Sequence, residues 1–244
     1  MTLASNQLKT EIIYPDSDGK PMAESDPARD YLIYGVEALD IYFQDRDDVY
    51  VSGNLFFYYK KGIPSAVVAP DVFVVFGVEK KKRLSYKLWE EGDKVPSFVL
   101  EITSATTQEN DEIEKPLKYA ALGVQEYFQY DPTGDYLNPQ LKGRSLVNSK
   151  YQPIAATLLP DGVFSIHSEV LGLNLRVIDG ELRFYNPRTE KKLLSYKETE
   201  QARQAAEQAR LDAIPKLLEL GLSVEQVANT LSLSLDEVRG FAQE

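Results

Sequence analysis

The sequence predicts an α/β (α+β) chain: a mixed β-sheet flanked by helices, with a helical appendage at the C-terminus. Three observations carry this. VFVVFGV at 72–78 and SFVLEIT at 97–103 are β-branched, apolar runs of strand length. A helix-forming stretch follows and leads into the aromatic run EYFQYDP at 126–132, giving strand, helix, strand. Beyond residue 194 the pattern is helical only.

Residues 1–30 are rich in Pro, Asp, Ser and Gly and read as an extended or loosely packed arm. From Asp48, VYVSGNLFFYYKKG reads as strands with Gly53-Asn54 near a turn. The strand at 72–78 is entered through Pro70-Asp71, and the third lies at 97–103. The helix that follows ends at Gly123, a good C′ residue, with Pro116 marking either a kink or a new helical turn. From Lys142 to Tyr185, short apolar runs alternate with the turns LPDG, VIDG and YNPR, as in hairpins that extend a mixed sheet. Ser195 to Ala213 is polar on nearly every face and reads as an exposed connecting helix. The tail, 214–244, has two capping boxes, Ser223 with Gln226 and Ser234 with Glu237, a spacing that fits a small helix-turn-helix-like unit. The expected organisation is thus an arm (1–30), a main domain (31–194), a connecting helix (195–213) and the tail (214–244).

Composition narrows the chemistry. With 43% apolar residues, 15 Tyr and 10 Phe, the chain folds around a sizeable core. No apolar run approaches the roughly 20 residues of a membrane span, and the first residues have no signal-peptide h-region, so a cytoplasmic protein is expected. There is no Cys and a single histidine, His167, which removes thiolate chemistry and ordinary zinc sites. A catalytic metal must then be held mainly by oxygen ligands, which suits Mg2+ or Mn2+. A net charge of −11 argues against broad adhesion to nucleic acid, although Lys80, Lys81, Lys82 and Arg83 form an uninterrupted basic run. Such a run is more often a solvated loop edge than a nucleic-acid-binding patch. The tail holds two basic against five acidic side chains, which favours protein packing over DNA contact.

In FVLEI, Phe98, Leu100 and Ile102 point one way, so Glu101 shares the opposite face with Val99 and Thr103. A carboxylate there must be paired, protonated or metal-bound, and the residues alone leave a buried pair and a metal ligand equally open. Asp71 taken singly is an ordinary Pro-Asp turn. If the strands at 72–78 and 98–103 are neighbours, however, Asp71 and Glu101 lie roughly 5–8 Å apart, close enough to chelate one cation. Lys115, at the start of the helix, is either a solvent-exposed lysine or a partner for water or phosphate. A lone His167 carries no expected role, and Trp89 is read as core or loop anchoring rather than a base-stacking platform.

Pro70-Asp71, then Val-Leu-Glu101-Ile-Thr-Ser, then Asp111, Lys115, Tyr119, Gly123-Val124, Glu126-Tyr127-Phe128 and Asp131-Pro132 resemble the Uma-type (Uma-two) family of restriction endonucleases. The likeness runs over roughly residues 30–190 and most strongly 66–132. It implies a PD-(D/E)XK nuclease fold, a restriction-endonuclease-like mixed sheet flanked by helices. It also implies Asp71 and Glu101 as metal ligands, with the backbone carbonyl of Ile102 as a third. The ordinary motif places lysine where this chain has Thr103, so Lys115 supplies the amine from the next helix, with Tyr119 and Thr103 as supporting neighbours. The function implied is a Mg2+- or Mn2+-dependent endonuclease acting on nucleic acid, DNA first, as a homodimer. The alternative is a catalytically silent binding or assembly module on the same fold, which the acidic charge favours.

Overall fold

The structure is a computed structural model that describes residues 12–17, 25–104 and 107–241. In chain order it contains α1 (Asp26–Tyr42), β1 (Val49–Ser52), β2 (Phe57–Tyr58), β3 (Val67–Val68), β4 (Val72–Phe76), β5 (Tyr86–Lys87) and β6 (Phe98–Ile102). A π-helical segment (Asn110–Glu114) runs into α2 (Lys115–Leu122), followed by β7 (Glu126–Tyr130), β8 (Leu141–Val147) and β9 (Lys150–Pro153). Then come β10 (Ala156–Leu158), β11 (Phe164–Ser168), β12 (Leu173–Ile178), β13 (Glu181–Asn186), β14 (Lys191–Lys192), α3 (Tyr196–Glu219), α4 (Val224–Leu231) and α5 (Leu235–Phe241). The architecture is mixed sheets flanked by helices, with helices alone at the C-terminus.

The chain forms two compact units that meet in sequence at Leu193 and Leu194. At the centre of the first is a six-stranded sheet of order β1-β4-β6-β7-β8-β9, antiparallel throughout except for the parallel pair β6–β7. Both faces are covered. Val72, Val74, Phe98, Leu100, Ile102, Phe128 and Tyr130 point into one core with α1 and the sheet β10-β11-β12-β13-β14. Phe73, Val75, Val99 and Tyr127 point into a second core with α2 and the small sheet β3-β2-β5. Burial on both faces is why VFVVF and FVLEI read as continuous apolar runs instead of alternating ones.

Several expectations are revised. Of the arm expected over 1–30, residues 1–11 and 18–24 lie outside the described residues, and 26–30 are the first turns of α1. That helix was not anticipated: Ser25 caps it by accepting from the Ala28 N–H, and Pro27 sits in the first turn, where no N–H is needed. The hairpins beyond Lys142 do not all extend one sheet, since β8 and β9 join the large sheet and β10–β14 build another. Gly123 ends α2 with φ +88°, and Pro116 lies in the first turn of a new α-helical stretch after the π-helical segment.

In the second unit α3 runs past Ala213 and through Pro215 to Glu219. Ile214, Val227, Ala228 and Val238 form its small core. Ser223 and Gln226 make a reciprocal capping box, and Ser234 and Glu237 exchange the same pair of bonds at the start of α5.

Candidate active site

The register of β4 against β6 pairs Val72 with Leu100, so Asp71, one residue before Val72, falls opposite Glu101. The strand ends are stitched together by the carboxylates themselves. Ile102 N–H donates to Asp71 Oδ2 at 2.7 Å, and Asp71 N–H reaches toward Glu101 Oε2 at 3.4 Å. Glu101 is fully buried and accepts from Tyr119 OH at 2.7 Å and Lys115 Nζ at 2.8 Å. Lys115 also lies 2.7 Å from Asp111 Oδ1. Lys115 and Tyr119 are one turn apart on α2, so a single helix face delivers both donors to Glu101.

The electrostatics are those of a crowded carboxylate site. Burial pushes the Asp71 carboxyl well above its ordinary value, and the nearby Glu101 charge pushes the same way, against the pull of Lys115. Burial acting alone would lower Lys115, but Glu101, Asp111 and Asp71 outweigh it and raise the ammonium. Burial likewise raises Asp111 and the Tyr119 hydroxyl, the latter helped by Glu101.

A cavity of about 370 Å3 opens on this centre. Asp71, Ile102, Thr103 and Lys115 line its floor, with the start of α1 on one wall and Pro132, Thr133 and Tyr136 on the other. The hydroxyl of Thr103 is buried there and has no hydrogen-bond partner among the described residues. The second wall is built by Asp131, whose carboxylate accepts from the N–H groups of Thr133 (2.9 Å), Tyr136 (2.6 Å) and Leu137 (3.0 Å). Burial pushes Asp131 up, but these N–H bonds outweigh it and hold the carboxyl below its ordinary value. A depressed folded pKa contributes stability above the unfolded value of about 4 and loses it as pH falls through the folded value. Asp131→Asn is therefore expected to lose about 1–3 kcal/mol at pH 7. The gap to the wild type should close as urea melts are taken down to pH 3, and a gap that does not depend on pH refutes this account.

The structure thus brings together Asp71, Glu101, Ile102, Thr103, Lys115 and Tyr119. It does not bring the basic run to them. Lys80 pairs with Asp40 at 2.8 Å, Lys81 with Glu79 at 3.0 Å, and Arg83 with Glu91 at 2.8 Å while stacking over Tyr50. None of Lys80, Lys81, Lys82 and Arg83 lines the cavity. His167 bonds Asn174 on the neighbouring strand, and Trp89 packs on Tyr14, their ring centres 5.0 Å apart. Two residues given no role from sequence belong to the site's surroundings. Asp111 shares Lys115 with Glu101, a pairing foreshadowed only by its i, i+4 spacing. Gln129 lies beside Glu101 in register on β7, with no sequence signal beyond a polar residue inside an aromatic run.

Among the described residues no group of three or more His, Cys, Asp or Glu side chains is placed to hold a metal ion. A two-carboxylate site is still compatible with a hard cation, because Mg2+ commonly binds through one or two carboxylates and keeps several waters. The donors here are oxygen only. Ile102 N–H engages Asp71 Oδ2, and the Thr103 hydroxyl, without a partner among the described residues, adds a polar group beside it.

The sequence matches the family Uma2, described as "Putative restriction endonuclease", over residues 21–178. The chain belongs to this family. The span matched by Uma2 holds every cavity-lining residue and ends with β12, leaving β13, β14 and the second unit outside it. Among solved structures, a DUF820 protein of Anabaena variabilis described as a putative nuclease resembles 58% of this Uma2 chain and 76% of its own length, at 14% identity and a TM-score of 0.41. No curated protein matches it. No helix among the described residues is long and apolar enough to cross a membrane.

Proposed function

We propose that this Uma2 chain is a divalent-metal-dependent endonuclease that hydrolyses phosphodiester bonds of DNA, with Asp71, Glu101 and Lys115 as its catalytic residues. One observation carries the reading: Asp71 and Glu101 face each other from adjacent strands, Glu101 buried behind a cavity that Asp71 and Lys115 line, with Lys115 at 2.8 Å from Glu101. Two carboxylates this close repel each other, and a cation relieves the repulsion. Asp71, Glu101 and the Ile102 carbonyl would hold Mg2+ or Mn2+. Such an ion, when bound, supplies a water of lowered pKa and offsets charge on the phosphoryl oxygens.

The remaining work falls to the chain's own groups. Tyr119 holds the Glu101 carboxylate in one orientation. Lys115 stays protonated, faces the cavity and offers its charge to a phosphate oxygen. The Thr103 hydroxyl, where the ordinary motif carries lysine, stays buried beside the site and is a polar neighbour of the carboxylates. Asp131 holds the wall formed by Pro132, Thr133 and Tyr136 against which the nucleic acid would rest. Cutting both strands of a duplex calls for two such centres, hence a homodimer.

The test is a Mn2+ titration followed by calorimetry, with cleavage of plasmid, single-stranded DNA and RNA in parallel, on the wild type and an Asp71→Ala, Glu101→Ala double variant. The expected result is that Mn2+ binding and DNA cleavage disappear together in the double variant. Mn2+ binding that survives in the double variant, with no wild-type cleavage of any substrate, would favour the silent binding module.

A further inference from the structure

The polar row on this face of the sheet continues one strand past Glu101. Gln129 on β7 pairs in register with Glu101 on one side and Lys142 of β8 on the other, giving Asp71, Glu101, Gln129 and Lys142 on four adjacent strands. The π-helical segment and α2 cover this row: Lys142 Nζ meets Glu112 at 2.6 Å, and Lys115 meets Glu101 and Asp111. Gln129 is only 1% exposed, yet neither atom of its amide has a hydrogen-bond partner among the described residues. A buried amide left unpaired costs stability, and an apolar side chain of equal volume would avoid the cost, so the amide calls for another explanation.

We infer that Gln129 is a positioning residue that takes over from Lys115 as hydrogen-bond donor to Glu101 when a divalent cation occupies the site. This rests on the metal-dependent reading above. In the arrangement described, Lys115 is shared between Glu101 at 2.8 Å and Asp111 at 2.7 Å. A doubly charged ion on Asp71 and Glu101 repels the ammonium, and Asp111 remains to hold it. Glu101 then keeps Tyr119 on Oε1 but loses its charged donor on Oε2. Gln129 on the neighbouring strand carries an amide N–H pair that is otherwise unused. The amide N–H that is unpaired in one state donates to Glu101 in the other, and Asp111 serves as the resting place of the displaced lysine.

The test compares wild type with Gln129→Met, a near-isosteric apolar change, by thermal melts without metal and by Mn2+ calorimetry. A residue of purely structural value would lower both readouts together. The inference expects opposite signs: Tm unchanged or higher without metal, and Mn2+ affinity reduced about 10–100-fold, the usual range for groups that orient metal ligands. Equal Mn2+ affinity in variant and wild type overturns the inference and leaves the nuclease reading standing. A wild type that binds no Mn2+ overturns both. Gln129→Asn, which keeps the amide but withdraws it by one methylene, decides the matter on the same affinity criterion if Gln129→Met does not fold.

Discussion

Lys115→Met is expected to destabilise the protein by about 3–5 kcal/mol at neutral pH, the range for breaking a buried ion pair from one side. The lysine side chain is 17% exposed, while the Glu101 and Asp111 side chains that it neutralises are at most 1% exposed. Methionine fills the same volume, so the loss is one of charge and not of packing. The two carboxylates would be left without a counter-charge, and Asp71 would add a third negative group nearby. If this is the cause, neutralising the partners must restore what the lysine supplied. The triple variant Glu101→Gln, Asp111→Asn, Lys115→Met should therefore recover most of the lost stability in urea unfolding, while on the proposed nuclease reading it cleaves no DNA, because the proposed metal ligand Glu101 and the Lys115 cation are both gone. A Lys115→Met variant within about 1 kcal/mol of wild type would place the pair with solvent-screened surface ion pairs and refute the argument.

That centre was only partly readable from sequence. The parity of FVLEI was enough to put Glu101 on the face opposite Phe98, Leu100 and Ile102, because a strand repeats every two residues whatever its partners. Gly123 marked the end of α2 for an equally local reason, its positive φ. Sheet membership is not local. The alternation that signals a strand opens β8, which joins the large sheet, and β12, which does not, in the same way, since partner choice is decided by packing at long range. The helix α1 was legible but hidden by composition: residues 25–30 fall in the Pro-, Asp-, Ser- and Gly-rich stretch read as an arm, although Ser25-Asp26-Pro27 form an N-cap followed by a first-turn proline, and Tyr34, Ala38 and Leu39 keep helical spacing. Asp111 and Gln129 are harder still. Asp111 enters the sequence reading only as one residue of the family resemblance, and a glutamine between aromatic residues has no pattern of its own; Asp111 acquires a role when the helix brings Lys115 to it, and Gln129 when the sheet sets it beside Glu101.

Gly53 tests how tightly the fold holds Asp71. The turn after β1 packs on the start of β4, where Asn54 N–H donates to the Pro70 carbonyl at 2.8 Å. A Cβ added at Gly53 would come within 2.2 Å of the Asp71 carbonyl oxygen and 2.7 Å of a Val36 methyl. The first contact is with backbone and cannot be relieved by a rotamer change, so Gly53→Ala must separate the two segments. Overpacking of this kind costs about 1–3 kcal/mol, and a backbone clash belongs at the upper end. Gly35 supplies the comparison: its added Cβ would meet Val72 Cγ2 at 2.7 Å, an atom on a side chain that can yield. Gly53→Ala should therefore be the more destabilising of the two in urea. On the proposed metal-dependent reading it should also weaken Mn2+ binding, because moving the Asp71 backbone breaks the 2.7 Å bond from Ile102 N–H that aligns the carboxylate. Equal costs for the two variants, or Mn2+ affinity untouched in Gly53→Ala, would mean that Asp71 is positioned by β4 alone and that the turn contributes nothing to the site.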